Sequence, residues 1–286
     1  MSVKTKDQLL LDYRKANKVA RKKILTKQGY ATEADYLAFL MAPDAVKEEE
    51  TDMLDQVIAF DTTGSMSGYI AQVKKHVQDL IPKLFKENPN LRLKVIAFGD
   101  YCDMTNKNTF GKAYQETQLT DNENSLINFV KNAQNTSGGD GDEFYELVLK
   151  KVIDETPWRE GSKRALLLIG DCGPHPVGYS YGTIVKNAQI DWKQEAAKAS
   201  KIGLQVDTLN CGYHWQESFY KPLSAMTNGI NIPFSSQEKT HHAVYAATSV
   251  RGSKLSKRSF EASYDAAMKS GDSELIGTYK SLSGKL

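Results

Sequence analysis

Three short polar segments of this sequence hold the residues that could do chemistry. The first, Asp61-Thr62-Thr63-Gly64-Ser65, places a carboxylate and two hydroxyls at alternate positions, in a turn that Gly64 allows to close. Hard oxygen ligands of this kind suit magnesium, which needs near-octahedral geometry and keeps some of its waters. The same residues also fit a helix start capped by Thr63 or Ser65, with Asp61 accepting hydrogen bonds from loop amides. The segment alone leaves both interpretations open.

The other two segments are acidic as well. Residues 137–143 read Ser-Gly-Gly-Asp-Gly-Asp-Glu just before a helical pattern, and acids in that place complement the helix dipole with or without a metal. The third segment is the apolar run 166–170, which ends on Asp171. A carboxylate at the end of a buried strand is costly unless it is paired.

The elements that must position these residues alternate along the chain. Apolar runs predict strands at 56–60, 91–98, 164–170, 204–210 and 230–234, with a short strand within 109–118. Helical spacing predicts helices at 70–85, 125–133, 143–153, 188–200 and 217–226. This order indicates an α/β fold with a doubly wound, mostly parallel sheet and helices on both faces. Because ligands collect at the carboxyl ends of such strands, Asp61 and Asp171 are expected to lie on one edge of the sheet.

The two ends of the chain follow other patterns. Apolar residues recur at helical spacing from Leu9 to Ile24, and Thr32 to Asp35 resembles a capping box that opens a second helix. We therefore predict a helical N-terminal extension at 1–48, an α/β domain at 50–248 and a helical C-terminal extension at 249–286.

Composition limits the class of protein. The chain has 286 residues, 40% of them hydrophobic, and a formal net charge of +2. It has no apolar stretch near the roughly 18 residues that a membrane helix needs and no secretory signal, so we expect a cytoplasmic protein without a membrane partner. Its three cysteines form no CxxC pair, which favours reduced thiols over a disulfide framework or a zinc ribbon. His214 and the pair His241-His242 match no ligand spacing and are interpreted as structural.

Together, the three polar segments resemble the metal-ion-dependent adhesion site (MIDAS) of the von Willebrand factor A (vWA) family. Asp61, Thr63 and Ser65 stand at the positions of the Asp-x-Ser-x-Ser motif, and Asp171 matches the Asp that closes a later strand. The resemblance covers about residues 50–240. Within the family, the sequence is most similar to a branch with an Asp-Thr-Thr-Gly-Ser-Met signature, which includes the A domain attached to some alpha-kinases.

The resemblance implies a Rossmann-like, non-enzymatic module for protein-protein interaction. Its cofactor would be Mg²⁺, with Mn²⁺ or Ca²⁺ as alternatives. An Asp or Glu of a protein partner would complete the coordination of the metal. The middle loop of the family usually supplies a Thr as a metal ligand. In this sequence Asp140 stands at the corresponding position, with Thr136 or Ser137 as alternative donors. The implied metal ligands are therefore Asp61, Thr63, Ser65, Asp140 and Asp171. The resemblance further suggests that His175, Glu143 and Tyr101 line the rim.

Two other functions fit parts of the sequence. Asp61 could be the nucleophile of a magnesium-dependent phosphatase similar to haloacid dehalogenases, with Asp171 on the metal and Lys163 on the phosphate. Against this, the second acid expected shortly after Asp171 is missing, and Lys163 lies unusually close to that motif in the sequence. A nucleic-acid-associated scaffold is the other alternative, because residues 1–27 hold nine basic residues and the segment from Arg251 to Arg258 also contains several. No aromatic residues interleave with the basic ones, so nucleic acid is not the expected partner.

Overall fold

A single central sheet organises the fold. The computed structural model describes residues 6–28, 32–41, 52–109, 111–212 and 217–284. The strands of the central sheet are β1 (Leu54–Asp61), β2 (Leu91–Phe98), β3 (Tyr114–Glu116), β5 (Lys163–Gly170), β7 (Leu204–Asn210) and β8 (Asn231–Pro233). Two short strands, β4 (Asp142–Glu143) and β6 (Gly173–Pro174), form a separate parallel pair.

The order of strands in the central sheet is β3-β2-β1-β5-β7-β8. Its neighbours are parallel, except that β3 runs antiparallel to β2 at one edge. The helices of the described residues are α1 (Lys6–Lys15), α2 (Lys18–Gln28), α3 (Glu33–Met41), α4 (Ser67–Glu87), α5 (Glu123–Asn132), α6 (Tyr145–Glu155), α7 (Trp192–Lys201), α8 (Glu217–Met226), α9 (Thr240–Arg251), α10 (Lys254–Ser270) and α11 (Ser273–Ser283). The predicted α/β class, a mostly parallel sheet with helices around it, is confirmed.

Alternate residues of the central strands enter two separate apolar cores. Val57 and Ala59 of β1 belong to the core under α6, α7 and α8, whereas Ile58 and Phe60 belong to the core that includes α4, α9 and α10. Successive side chains of a strand point to opposite faces, so a strand that is covered on both sides must be apolar throughout. This double burial fixes the register of β1 and with it the place where Asp61 emerges.

Three predicted elements differ from the structure. The helical pattern from Leu9 to Ile24 forms two helices, α1 and α2, instead of one. Helix α6 begins at Tyr145 and not at 143, because the preceding residues pair with β6. Helix α9 was not predicted from the sequence. It is buried on nearly all sides, so it lacks the polar face that makes helical periodicity visible in a sequence.

The terminal helices pack in different ways. Tyr13, Tyr36 and Leu40 form a small core of their own in α1 and α3, and Lys193 pairs with Asp35 to connect this unit to α7. Phe260 of α10, in contrast, lies in the main core beside α4 and α9. The three-part division at 1–48, 50–248 and 249–286 stays a prediction. Within the described residues, no helix combines the length and apolar character needed to cross a bilayer.

At the start of β1, opposite the candidate site, a buried carboxylate is fully paired. Asp55 accepts hydrogen bonds from Arg92 at 2.7 and 3.0 Å, and from Arg159 at 2.7 and 2.8 Å. Burial alone would raise the pKa of Asp55, but the hydrogen bonds from Arg92 and Arg159 lower it below its ordinary value. The ionised form of Asp55 therefore holds together the ends of two strands and the segment before β5.

We expect Asp55→Asn to lower the free energy of unfolding at pH 7 by about 3 kcal/mol, because it removes the buried anion that pairs with two half-buried guanidinium groups. The folded-state pKa lies below the unfolded one, so this stabilisation is complete above about pH 4 and is lost as the pH falls through the folded-state value. Urea unfolding of wild type and variant across this range measures both effects. The exposed Asp121→Asn is the matched control, and equal stability losses in the two variants would contradict the assignment.

Candidate metal centre

Three strand ends bring acidic residues to one edge of the sheet. Asp61 ends β1 and lies level with Phe98 of β2, while Thr62 donates its backbone N–H to the Phe98 carbonyl at 2.7 Å. On the other side, Phe60 is paired with Ile169, so Asp61 lies level with Gly170 and Asp171 follows one residue later. The predicted shared edge of Asp61 and Asp171 is confirmed.

The Asp61 carboxylate is held from two directions. Its Oδ1 accepts from the Thr63 backbone N–H at 2.8 Å and from the Thr63 hydroxyl at 2.7 Å, and its Oδ2 accepts from the Tyr145 hydroxyl at 2.9 Å. Since the Thr63 proton points to Asp61, the lone pairs of the Thr63 oxygen are left for another electrophile. The turn at Gly64–Met66 has no side-chain cap, and neither does α4. The capping alternative for Thr63 and Ser65 is therefore wrong.

The glycine-rich loop packs directly on this turn. A Cβ added to Gly138 would lie 2.8 Å from Glu143 Oε1 and 3.4 Å from Thr63 Cγ2, and Gly138 has a φ of +68°. Only glycine meets both demands without strain. The close approach brings Glu143 to the site, where ligand atoms of Asp61, Glu143 and Cys172 lie within 4.8 Å of one another.

Electrostatics at this group favour a cation. Burial, together with the charges of Asp61 and Asp100, raises the pKa of Glu143 to about 10. Burial and the charge of Asp171 raise the pKa of Asp61 to about 7, although the hydrogen bonds from Thr63 lower it. Glu143 Oε2 is buried and has no hydrogen-bond partner among the described residues. Oxygen donors that repel one another, with one left unpaired, fit a divalent ion.

The structure brings some of the predicted ligands together and separates others. Asp61 and Thr63 are in direct contact, and Asp171 is close enough for its charge to raise the Asp61 pKa. Ser65 is exposed on the same turn. Asp140 lies instead in a neighbouring group with Asp100 and His175, where ligand atoms are also within 4.8 Å of one another.

The two alternative donors of the middle loop make hydrogen bonds that hold this loop in place. The Thr136 hydroxyl is hydrogen-bonded to the Thr62 hydroxyl at 2.9 Å. The Ser137 backbone N–H donates to Asp103 Oδ1 at 2.9 Å, which anchors the loop. Glu143, which the sequence suggested only for the rim, is the middle-loop side chain that contacts the Asp61 group.

Sequence reasoning missed three residues around the centre and misplaced three, because Tyr101, Glu143 and His175 are buried and do not line a rim. Cys172 follows Asp171 and lies in one group with Asp61 and Glu143. A single Cys beside an acid at a strand end matches no metal-ligand motif, so the sequence did not indicate it. Asp100 follows β2 as Asp171 follows β5, so the strand-end rule could have found it. Tyr145 lies in a helix and gives no signal. His175 is only 2% exposed, which excludes the suggested rim position.

The geometry does not favour the two alternative functions. Lys163 pairs with Leu54 at the start of β1, about 23 Å of strand away from Asp61 at roughly 3.3 Å per residue. It cannot contact a phosphate at Asp61. Among the basic residues of the C-terminal segment, Arg251 is 5% exposed and donates to Asp207 at 2.5 and 2.9 Å. Arg251 is thus a structural ion-pair residue and is not part of a basic surface.

Comparisons with known proteins agree with this fold. A sequence model of the von Willebrand factor type A domain matches residues 55–246. A putative ariadne-like RING finger protein of Acanthamoeba polyphaga mimivirus is 20% identical over 208 residues, which are 70% of this chain and 20% of that protein.

Among solved structures, the pilus adhesin SpaC of Lactobacillus rhamnosus GG in its open conformation is similar, with a TM-score of 0.51 and 14% identity over 75% of this chain and 31% of the adhesin. A second crystal structure of the same adhesin has a TM-score of 0.50 and 14% identity over 72% of this chain and 31% of the adhesin. The chain therefore spans about a fifth of the curated relative and a third of the adhesin, and the adhesin structures show a common fold.

We expect Gly170→Ala to disturb the centre without touching a ligand. An added Cβ would lie 1.9 Å from the Tyr145 hydroxyl, so Tyr145 must move away from Asp61. A loss of about 2 kcal/mol in the free energy of unfolding is expected from the overpacking. Tyr145→Phe should cost about 1–3 kcal/mol by removing the donor to Asp61.

Because both changes act on one hydroxyl, the double variant should be less destabilised than the sum of the two losses. Thermal and urea unfolding of the three variants measure this coupling. Gly277→Ala is the matched control, because nothing lies within 4 Å of its added Cβ. Strict additivity would show that Tyr145 is not the group that Gly170 accommodates.

Proposed function

The chain belongs to the von Willebrand factor type A domain family, and from this premise we propose that it is a metal-dependent protein-interaction module without enzymatic activity. The proposed cofactor is Mg²⁺ at a MIDAS-type centre of the Asp-Thr-Thr-Gly-Ser-Met branch. The observation that carries the proposal is the buried group of Asp61 and Glu143, whose carboxylate oxygens lie close together and include the unpaired Glu143 Oε2. The free cysteines agree with a reducing, cytoplasmic compartment as part of the same proposal.

Particular residues of the chain would hold the ion. Thr63 can offer its hydroxyl oxygen, since its proton already goes to Asp61. Ser65 lies exposed on the same turn, and Asp171 approaches from the end of β5. When bound, the ion would supply a Lewis-acidic position to which an oxygen of a partner can coordinate. Hydroxyl and carboxylate oxygens favour Mg²⁺, while Mn²⁺ and Ca²⁺ are alternatives with the same hard-ligand preference.

Two features of the centre support Mg²⁺ over a softer metal. Burial and the nearby Asp171 charge raise the pKa of the Cys172 thiol well above its ordinary range, so forming a thiolate ligand costs more here than at an ordinary thiol. The remaining donors are oxygens. Asp140, predicted as the middle-loop ligand, stays a proposal, and Glu143 is the middle-loop carboxylate in contact with Asp61.

The number of carboxylates bears on the partner. Asp61, Glu143 and Asp171 together carry more negative charge than one divalent ion neutralises, so a partner carboxylate binds less strongly here than at a centre with fewer acids. We propose that an Asp or Glu of a protein partner still completes the coordination, and that the neighbouring contacts supply much of the affinity. Mutation of the partner acid should then weaken the complex without abolishing every contact.

Calorimetric titration of Mg²⁺, Mn²⁺ and Ca²⁺ tests the metal centre. We expect one Mg²⁺ per chain in the wild type. Asp61→Asn and Asp171→Asn should weaken it by at least about 100-fold, more than the loss of an outer-shell partner causes. Asp121→Asn is the matched control because it removes an exposed carboxylate elsewhere. Unchanged affinity in the Asp61 and Asp171 variants would refute the site, and hydrolysis of p-nitrophenyl phosphate that depends on Asp61 would refute the non-enzymatic assignment.

Affinity capture on the immobilised protein tests the partner. With Mg²⁺ present, we expect the wild type and Asp121→Asn to retain the same protein, which EDTA releases and Thr63→Val fails to retain. Substitution of single acids in that partner should then identify the one that contacts the ion, with about a tenfold or larger loss of affinity. Retention that is insensitive to EDTA, or a partner with no such acid, would contradict the proposed mode of binding.

A further inference from the structure

A second group of ligating side chains lies beside the first. Asp100, Asp140 and His175 offer one oxygen, one oxygen and one ring nitrogen within 4.8 Å of one another. The group shares no residue with Asp61, Glu143 and Cys172, so Asp140 can serve this second site when Glu143 supplies the middle-loop carboxylate of the first. We propose that Asp100, Asp140 and His175 form a second metal site that is selective for a borderline-soft divalent ion, Zn²⁺.

Three segments that are distant in sequence build this site. Asp100 follows β2, Asp140 lies in the glycine-rich loop, and His175 follows the short strand β6. The pairing of β4 with β6 sets Asp142 beside Gly173 and so holds the last two segments together. The positions are therefore fixed by backbone pairing, which gives the site a rigid frame.

An unpaired buried atom points into the group. Asp100 is 0% exposed, and its Oδ1 contacts His175 Nε2 at 2.6 Å. Its Oδ2 is buried and has no hydrogen-bond partner among the described residues. A Cβ added to Gly139 would lie 3.9 Å from this oxygen, so Oδ2 faces the turn that carries Asp140. An unsatisfied buried carboxylate oxygen is costly, and a cation satisfies it.

The surrounding residues orient the ligands as an outer shell does. The His175 ring stacks on Tyr179 with centroids 3.7 Å apart, and its backbone N–H donates to Glu146 Oε2 at 3.2 Å. The Tyr179 hydroxyl donates to Asp140 Oδ2 at 3.0 Å. Metal ligands in proteins are held by second contacts of this kind.

Ligand type selects the ion. An imidazole nitrogen with two carboxylate oxygens suits Zn²⁺, whereas the all-oxygen donors of the first group suit Mg²⁺. Tetrahedral zinc with ligands at about 2.0–2.1 Å sets neighbouring donors roughly 3.3 Å apart. Zinc would replace the proton shared by Asp100 Oδ1 and His175 Nε2, which is released to solvent. Asp100 and His175 would separate by several tenths of an ångström, and Asp140 would move inward. Asp140 is exposed, so it can make that movement and a water can take the fourth position.

Zinc titration in saturating Mg²⁺ tests the proposal. We expect one Zn²⁺ per chain in the wild type, with affinity at least about tenfold lower in Asp140→Asn and His175→Gln. Asp61→Asn should keep the zinc while losing magnesium, which separates this site from the proposed Mg²⁺ centre. His241→Gln and Asp121→Asn are matched controls for the loss of a histidine and of an exposed acid.

X-ray absorption at the zinc edge supplies an independent readout. The wild type should show imidazole scattering that disappears in His175→Gln, while the variant keeps the circular dichroism of the folded protein. Because Asp140 is exposed, Asp140→Asn should fold even if the buried His175 variant does not. The proposal is overturned by an absence of zinc binding in the wild type, by zinc binding that persists in Asp140→Asn, or by zinc loss in Asp61→Asn.

Discussion

Repulsion among buried carboxylates at the carboxyl edge of the sheet is the interaction on which the rest of this site depends. Asp61 and Glu143 are almost completely buried; the charge of Asp61 raises the pKa of Glu143, and the charge of Asp171 raises the pKa of Asp61. Such groups must be neutralised by protons or by cations. The arrangement is therefore stable only if the surrounding fold holds the acids in place or an ion compensates their charge.

The fold meets this demand with neutral hydrogen-bond donors. Tyr145 and Thr63 donate to Asp61, and backbone N–H groups of the glycine-rich loop donate to Asp103. Donors of this kind hold a carboxylate without neutralising it, so they leave its charge available to a metal. The close packing of Gly138 against Thr63 and of Gly170 against Tyr145 then determines how far the loops can move.

Asp55 at the opposite end of β1 shows the contrast. It is as inaccessible as Asp61, yet two arginines neutralise it and lower its pKa. The same residue type in the same strand is thus structural at one end and poised for a cation at the other. The difference lies in the partners that the tertiary structure supplies, because Arg92 and Arg159 are far from Asp55 in sequence.

The sequence by itself determined the α/β class and the common edge of Asp61 and Asp171, because a buried strand needs a continuous apolar run and parallel strands end on the same side. It assigned Asp140 to the Asp61 group and did not identify Glu143 as a member, because the place of Glu143 depends on the pairing of β4 with β6 and on the approach of Gly138 to Thr63. Helix α9 was invisible because burial on nearly all sides removes its periodicity. Only the tertiary structure joined Asp100 to His175, since side chains that are 75 residues apart meet through packing and leave no local pattern.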